Sequence, residues 1–208
     1  LLTALATICS QFVRWGLVNW IVKILITPCS VDAPGLAESA GGGLFAGSQS
    51  GGFGMALMAA TIAASAMHWG GAFFSLGHIS DTVFHGSRWQ TILMGFLVST
   101  AGLLIIYFWG LRILILPGGV VILGALLFFA GGCIQGVQAP LFNLPGDILG
   151  TRLGGTGVGI VNGWSYLGAS FAGISLGAMM DAFGLTSCLL LMAGISLAGA
   201  VVTAVLRR

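Results

Sequence analysis

Arg14 is the residue of this 208-residue chain whose chemistry is hardest to reconcile with packing alone. It stands near the middle of an apolar run from Leu2 to Ile26, where an ionised side chain costs about 2.5 to 3.5 kcal/mol on insertion scales. A guanidinium presents a planar fork of donors that matches phosphate or carboxylate oxygens, and it keeps its charge in a partly dry cavity where a lysine can lose its proton. The competing role is structural, a pair with a distant carboxylate or with backbone carbonyls. Helical spacing puts Gln11 on the same face with Trp15 alongside, so this face is expected to line a solute pathway. Lys23 turns to another azimuth and reads as an interfacial anchor. Asn19 suits a solute hydroxyl and helix packing equally.

A second cluster surrounds the turn Gly77-His78-Ile79-Ser80-Asp81, which continues to Gly86 and Arg88. A carboxylate here can meet helix N-terminal amides and a guanidinium in one conformation and release them in another. Gly77, Asp81 and Arg88 are therefore candidate gating residues, with a plain capping turn as the alternative. His68 and His78 titrate near neutral pH. No carboxylate shares the helix of His68 within a turn, so a buried neutral histidine with one partner is the simpler expectation. Gln135 and Gln138 are further pathway candidates without a motif. The four cysteines stand singly, with no CxxC spacing, and read as packing residues. The chain offers no nucleophile-base-acid set, metal cluster or phosphate-cradling loop, so neither enzymatic chemistry nor a cofactor is expected. No nucleic-acid partner is expected either.

These residues need a frame, and composition says which. Hydrophobic residues make up 57% of the chain and charged residues 6%, with a mean hydropathy of +1.07, whereas a soluble domain carries roughly a quarter charged residues. The expected fold is an all-α membrane protein of six transmembrane helices: Leu2 to Ile26, Met55 to Ile79, Gln90 to Trp109, Ile113 to Ile134, Gly157 to Ala178 and Thr186 to Leu206. A Gly-rich outer loop joins the first two over residues 27–54. The basic residues Arg88, Arg152, Arg207 and Arg208 follow even-numbered helices, while Asp32, Glu38 and Asp181 collect on the other side with Arg112. That asymmetry predicts both ends cytoplasmic, in a multi-pass protein of a plasma or inner membrane. Gly77 to Asp81 ends the second helix and Gly177 to Asp181 the fifth, each followed by a glycine, Gly86 or Gly184. The same landmark on opposite faces predicts two inverted three-helix repeats. Gly155, Gly159 and Gly163 form a small-residue stripe suited to close helix contact.

The stretch from Gly77 to Arg88 resembles the second cytoplasmic loop signature of the major facilitator superfamily, which implies the C-terminal half of a twelve-helix fold. Phe12-Val13-Arg14-Trp15-Gly16 through Trp20 is similar to helix seven of its organophosphate:phosphate antiporters, and Gly155 to Ala169 is similar to helix eleven of that group. The resemblance implies that Arg14 meets the substrate phosphate and that Tyr166, with Asn162 one turn earlier, faces the pore. It departs from the group at the long Gly-rich loop, at Asn19, at His85 and at His68-Trp69. The expected activity is exchange of an organic phosphate for inorganic phosphate, the partners being that small anion, the bilayer and a missing N-terminal six-helix half. Alternatives are a proton- or sodium-driven symporter of a sugar acid and a membrane assembly subunit. The chain opens on Leu1-Leu2-Thr3 and is read as a piece of a longer protein.

Overall fold

The structure, a computed structural model, describes residues 1–26, 52–74, 80, 82–115, 119–184 and 186–206. The described residues are all-helical, with no strand. In chain order the helices are α1 (Leu2–Ile26), α2 (Gly52–Phe74), α3 (Arg88–Ile115), α4 (Gly119–Gly136), α5 (Gln138–Phe183) and α6 (Ser187–Leu206). Three segments are long and apolar enough to cross a membrane: Arg88–Gly110, Val121–Gly150 and Ser187–Leu206. At a rise of ~1.5 Å per residue, twenty residues cover the ~30 Å of hydrocarbon. Val121, Ile174, Ile62 and Phe108 project from the outer surface of the bundle. An apolar coat of this kind is costly in water and suits a hydrocarbon surround. Most of the expected Gly-rich loop, and Gly77, His78 and Asp81 with it, lie outside the described residues.

Two helix boundaries differ from expectation, each for a local reason. The break expected at residues 110–112 is absent, and Ile113 to Ile115 complete α3 rather than open the next helix. A single interior glycine such as Gly110 costs only about 1 kcal/mol relative to alanine, which neighbouring contacts readily offset. Residues 135–156, expected as a loop, are almost wholly helical. Pro140 cannot donate to the Gly136 carbonyl, which marks the slight interruption at Val137. The ladder continues around it, with Val137 N–H bonded to the Cys133 carbonyl at 3.0 Å and Leu141 N–H to the Val137 carbonyl at 3.2 Å. Prolines near a helix start forfeit little because the first amides have no intrahelical partner.

The real reversal comes at Gly150, whose φ of 70° and ψ of −178° belong to a region that is essentially glycine-only. Thus α4 and residues 138–149 form one rod, and residues 151–183 return beside its end, Gly157 lying against Pro145 and Leu149. Gly184, at φ 84° and ψ 168°, ends the returning arm in the same unusual region.

Close contacts give the helix directions. Ile8 meets Gly168 and Gly16 meets Leu176, so α1 and the returning arm of α5 run parallel. Met67 against Gly131 and Phe74 against Gly136 make α2 and α4 parallel as well. Gly95 beside Val137 and Gly102 beside Ala130 make α3 antiparallel to α4. The helix α6 lies on α3, where Ser196 Oγ donates to the Phe96 carbonyl at 3.0 Å and Gly199 receives the Phe96 ring. It also packs on α1, with Met192 beside Gly16. The principal packing pairs are α1 with α5, α2 with α4, α3 with α6, α3 with α4, and α1 with α6. Exchanging helices one to three for four to six maps this set onto itself.

Small residues permit these approaches. A methyl group at Gly168 would enter the main chain of Ile8, and one at Gly70 would enter the carbonyl of Phe128. Within the returning arm the buried stripe is Val161, Ser165, Gly168, Ala172 and Leu176, at the three- and four-residue spacing of one helix face. The expected stripe of Gly155, Gly159 and Gly163 has open space beside it instead.

Gly150→Ala should therefore cost about 1 to 3 kcal/mol, the penalty of holding a side chain in that backbone region. Gly159→Ala, which meets no neighbour, should be neutral or stabilise by up to about 1 kcal/mol. Thermal unfolding in detergent measures both, and equal midpoints for the two variants would contradict the reversal.

Candidate functional site

Arg14 is half-buried on α1, and its Nη1 donates to Gln138 Oε1 at 3.1 Å and more weakly to Gln11 Oε1 at 3.4 Å. Its guanidinium carbon lies 5.8 Å from the Trp15 ring centroid, within reach of cation–π attraction. Gln11 is buried, and Ser10 Oγ next to it reaches the Ile134 carbonyl at 3.4 Å, tying α1 to α4. Among the described residues no carboxylate pairs with Arg14. Amide oxygens take up part of its hydrogen-bonding capacity while leaving its charge uncompensated, which in a low-dielectric bundle attracts an anion. The paired-arginine alternative therefore has no carboxylate partner within the described part of this chain.

Gln138 adds a second unsatisfied group. Its Nε2 is buried and has no hydrogen-bond partner among the described residues. Leaving such a donor unmade costs about 1 to 3 kcal/mol. The amide cannot simply turn over, because that would set its NH2 against the guanidinium.

Three residues earlier on the same rod, Gln135 reaches α2, where its Nε2 lies 3.1 Å from His68 Nδ1. An amide nitrogen only donates, so Nδ1 accepts and a neutral His68 carries its proton on Nε2. Gly71 makes the approach possible, since a methyl group there would overlap the Gln135 side chain. His68 is exposed rather than buried as expected. The rod α4 to α5 thus links α1 and α2 through a polar layer of Gln11, Arg14, Gln138, Gln135 and His68. The two glutamines carry no motif, and the one sequence signal for them is a polar pair at helical spacing inside an apolar span.

Asn162 and Tyr166 lie elsewhere. Both are exposed, Tyr166 by 64%, and Asn162 accepts from Ser165 Oγ through its carbonyl at 2.6 Å and its side chain at 3.3 Å. No hydrogen bond among the described residues joins either to the Arg14 layer. With Ile8 level with Gly168 and Gly16 with Leu176, the helical rise places Tyr166 about 12 Å and Asn162 about 18 Å along the axis from Arg14.

At the candidate gate, Arg88 opens α3 and its Nε lies 3.4 Å from Asp147 Oδ2, with the side chains 26% and 52% exposed. Asp147 sits near the end of the antiparallel rod, so the pair ties the two helix ends together. Gly77 and Asp81 lie outside the described residues, so their part in the expected latch is not described. The turn before α3 is tight: His85 has φ 50° and Gly86 φ 83°, and Gly86 N–H donates to the Ser80 carbonyl at 2.9 Å. At the end of α5, Gly184, with φ 84°, donates to the Met180 carbonyl at 2.9 Å. In both places the accepting carbonyl belongs to the residue before an aspartate, Asp81 or Asp181. A cavity of about 80 Å³ beside this turn is lined by Phe74, Phe84, Met94, Cys133 and Val137 among others, and is largely apolar.

A double-mutant cycle on Arg88→Gln and Asp147→Asn should return a coupling of at most about 1 kcal/mol, as expected of a partly exposed pair. The coupling should fade between about 10 mM and 1 M salt as the screening length shortens, and a salt-independent value would contradict the observed exposure. Comparison of the chain with protein-family models, with curated proteins and with solved structures gave no match.

Proposed function

We propose that this chain is the C-terminal six-helix half of a secondary transporter of the major facilitator type, moving an organic phosphate or related organic anion in exchange for inorganic phosphate. The observation that carries the reading is Arg14: a guanidinium in an apolar bundle, held by two amide oxygens, with no carboxylate partner among the described residues and an unpaired donor beside it. A protein bears that cost readily when a transient anion completes the site. The helix packing supports the two-repeat reading, since its principal pairs survive exchange of the first three helices for the last three. So do the two turns in which a glycine at φ near +84° caps a carbonyl preceding an aspartate. In this reading both ends face the cytoplasm, Arg88 with Asp147 and the turn containing Gly77 and Asp81 forms the inner gate, and Asn162 and Tyr166 belong to the pathway wall away from the central arginine.

One observation favours a second reading. His68 is exposed and stands one hydrogen bond from Gln135 in the same polar layer, a position from which it could take up a proton alongside a carboxylate solute. Proton-driven symport of a sugar acid is then the alternative.

Reconstitution of the complete parent protein into phosphate-loaded vesicles tests the choice. Exchange against a sugar phosphate should fall by about tenfold or more in Arg14→Lys, because an ammonium does not reproduce the bidentate fork. Unchanged exchange would remove Arg14 from the mechanism. Proton-driven uptake of a sugar acid without phosphate exchange would establish the second reading.

A further inference from the structure

The Arg14 layer specifies more than an anion. Nη1 carries two hydrogens, and Gln138 and Gln11 both accept from it. Nε–H and the two hydrogens on Nη2 remain, an edge that presents parallel donors to two oxygens. On the Nη1 side, Gln138 holds a buried, uncharged donor with no partner among the described residues, left free because its own oxygen is committed to the guanidinium. The arrangement therefore offers donors of two kinds: a charged edge for two oxygens and a neutral amide for another.

We propose that Gln138 is a second ligand-contacting residue, its Nε2 donating to an oxygen of the same anionic group that Arg14 pairs with, and that the pair selects a phosphoryl group over a carboxylate. A phosphoryl group has three terminal oxygens, enough for the arginine edge and the amide to each take a separate one. A carboxylate has two, and the arginine edge engages both. Gln11 is the positioning residue, since its oxygen helps to hold Nη1. The proposal rests on the transport reading above and deepens it by naming the group recognised.

The test is equilibrium binding of inorganic phosphate and of gluconate to the purified complete parent protein, unsubstituted and as Gln138→Met, Gln138→Asn and Arg14→Lys. Gln138→Met should weaken phosphate binding about tenfold, the loss of one hydrogen bond to a charged oxygen. Gluconate binding should change less than about twofold, so selectivity collapses, an effect that a packing role does not produce. Gln138→Asn keeps the amide but withdraws it by one methylene, and should shift selectivity in the same direction if the methionine variant fails to fold. Unchanged phosphate affinity in both glutamine variants, with Arg14→Lys weakened, would overturn this proposal and leave the arginine reading standing. Equal loss for both anions would overturn the selectivity. An unsubstituted protein that binds neither anion would sink the transport reading itself.

Discussion

In a bundle so poor in charge, every polar group has to find its partner inside the chain or from a ligand, because hydrocarbon offers neither donors nor acceptors. That constraint explains which polar residues are buried and how. Thr7, Thr100 and Thr203 return their hydroxyls to carbonyls four residues back. Ser10 and Ser196 send theirs across to neighbouring helices. These solutions stay within the chain and need no ligand. The Arg14 layer is different, because its amide partners answer only part of the hydrogen bonding and none of the charge. Ser80 and Ser99 are also buried without a hydrogen-bond partner among the described residues, so what sets the Arg14 layer apart is an uncompensated charge beside an unpaired amide donor.

The same solvent removes the usual hydrophobic drive for helix association, so the helices depend on close van der Waals approach. Gly70 against Phe128 and Gly168 against Ile8 are the closest approaches of a glycine to a neighbouring main chain among the described residues, one in each parallel pair. The first brings α2 close enough to α4 for His68 to meet Gln135, and the second seats α1 on the returning arm. Packing and the polar layer are thus coupled at α2 and α4: a larger residue at Gly70 would separate the helices on which His68 and Gln135 meet.

Chain reversal depends on glycine for a different reason. Gly150 and Gly184 hold backbone conformations that side chains exclude, and together they bound an arm long enough to run past the start of α1. The arm buries one narrow stripe and leaves Asn162, Tyr166 and three glycines facing away from the bundle. In the proposed transporter that outward face, with Trp69 and Trp15 also exposed, is where a second six-helix half would close the pathway.

The membrane class was legible from composition, since no arrangement of 6% charged residues covers a soluble surface, and the helices were legible from apolar runs of about twenty residues. So was the anomaly of Arg14, because the cost of a buried charge depends on the apolar residues around it in sequence. Helix ends near proline and glycine were not legible. Pro140, Pro145 and Gly110 look like breakers locally, yet each leaves most of the hydrogen-bond ladder intact, whereas Gly150 and Gly184 adopt the backbone geometry that ends a helical arm. Of the partners of Arg14, Gln11 was legible from helical spacing and Gln138 was not. Gln138 stands 124 residues away in the chain, and no spacing rule links residues on different helices. The sequence by itself determined the helices, their apolar surroundings and the charge that needed an answer. The tertiary structure decided which groups answer it, because that depends on how the rod that carries Gln138 packs beside α1, which no local spacing encodes.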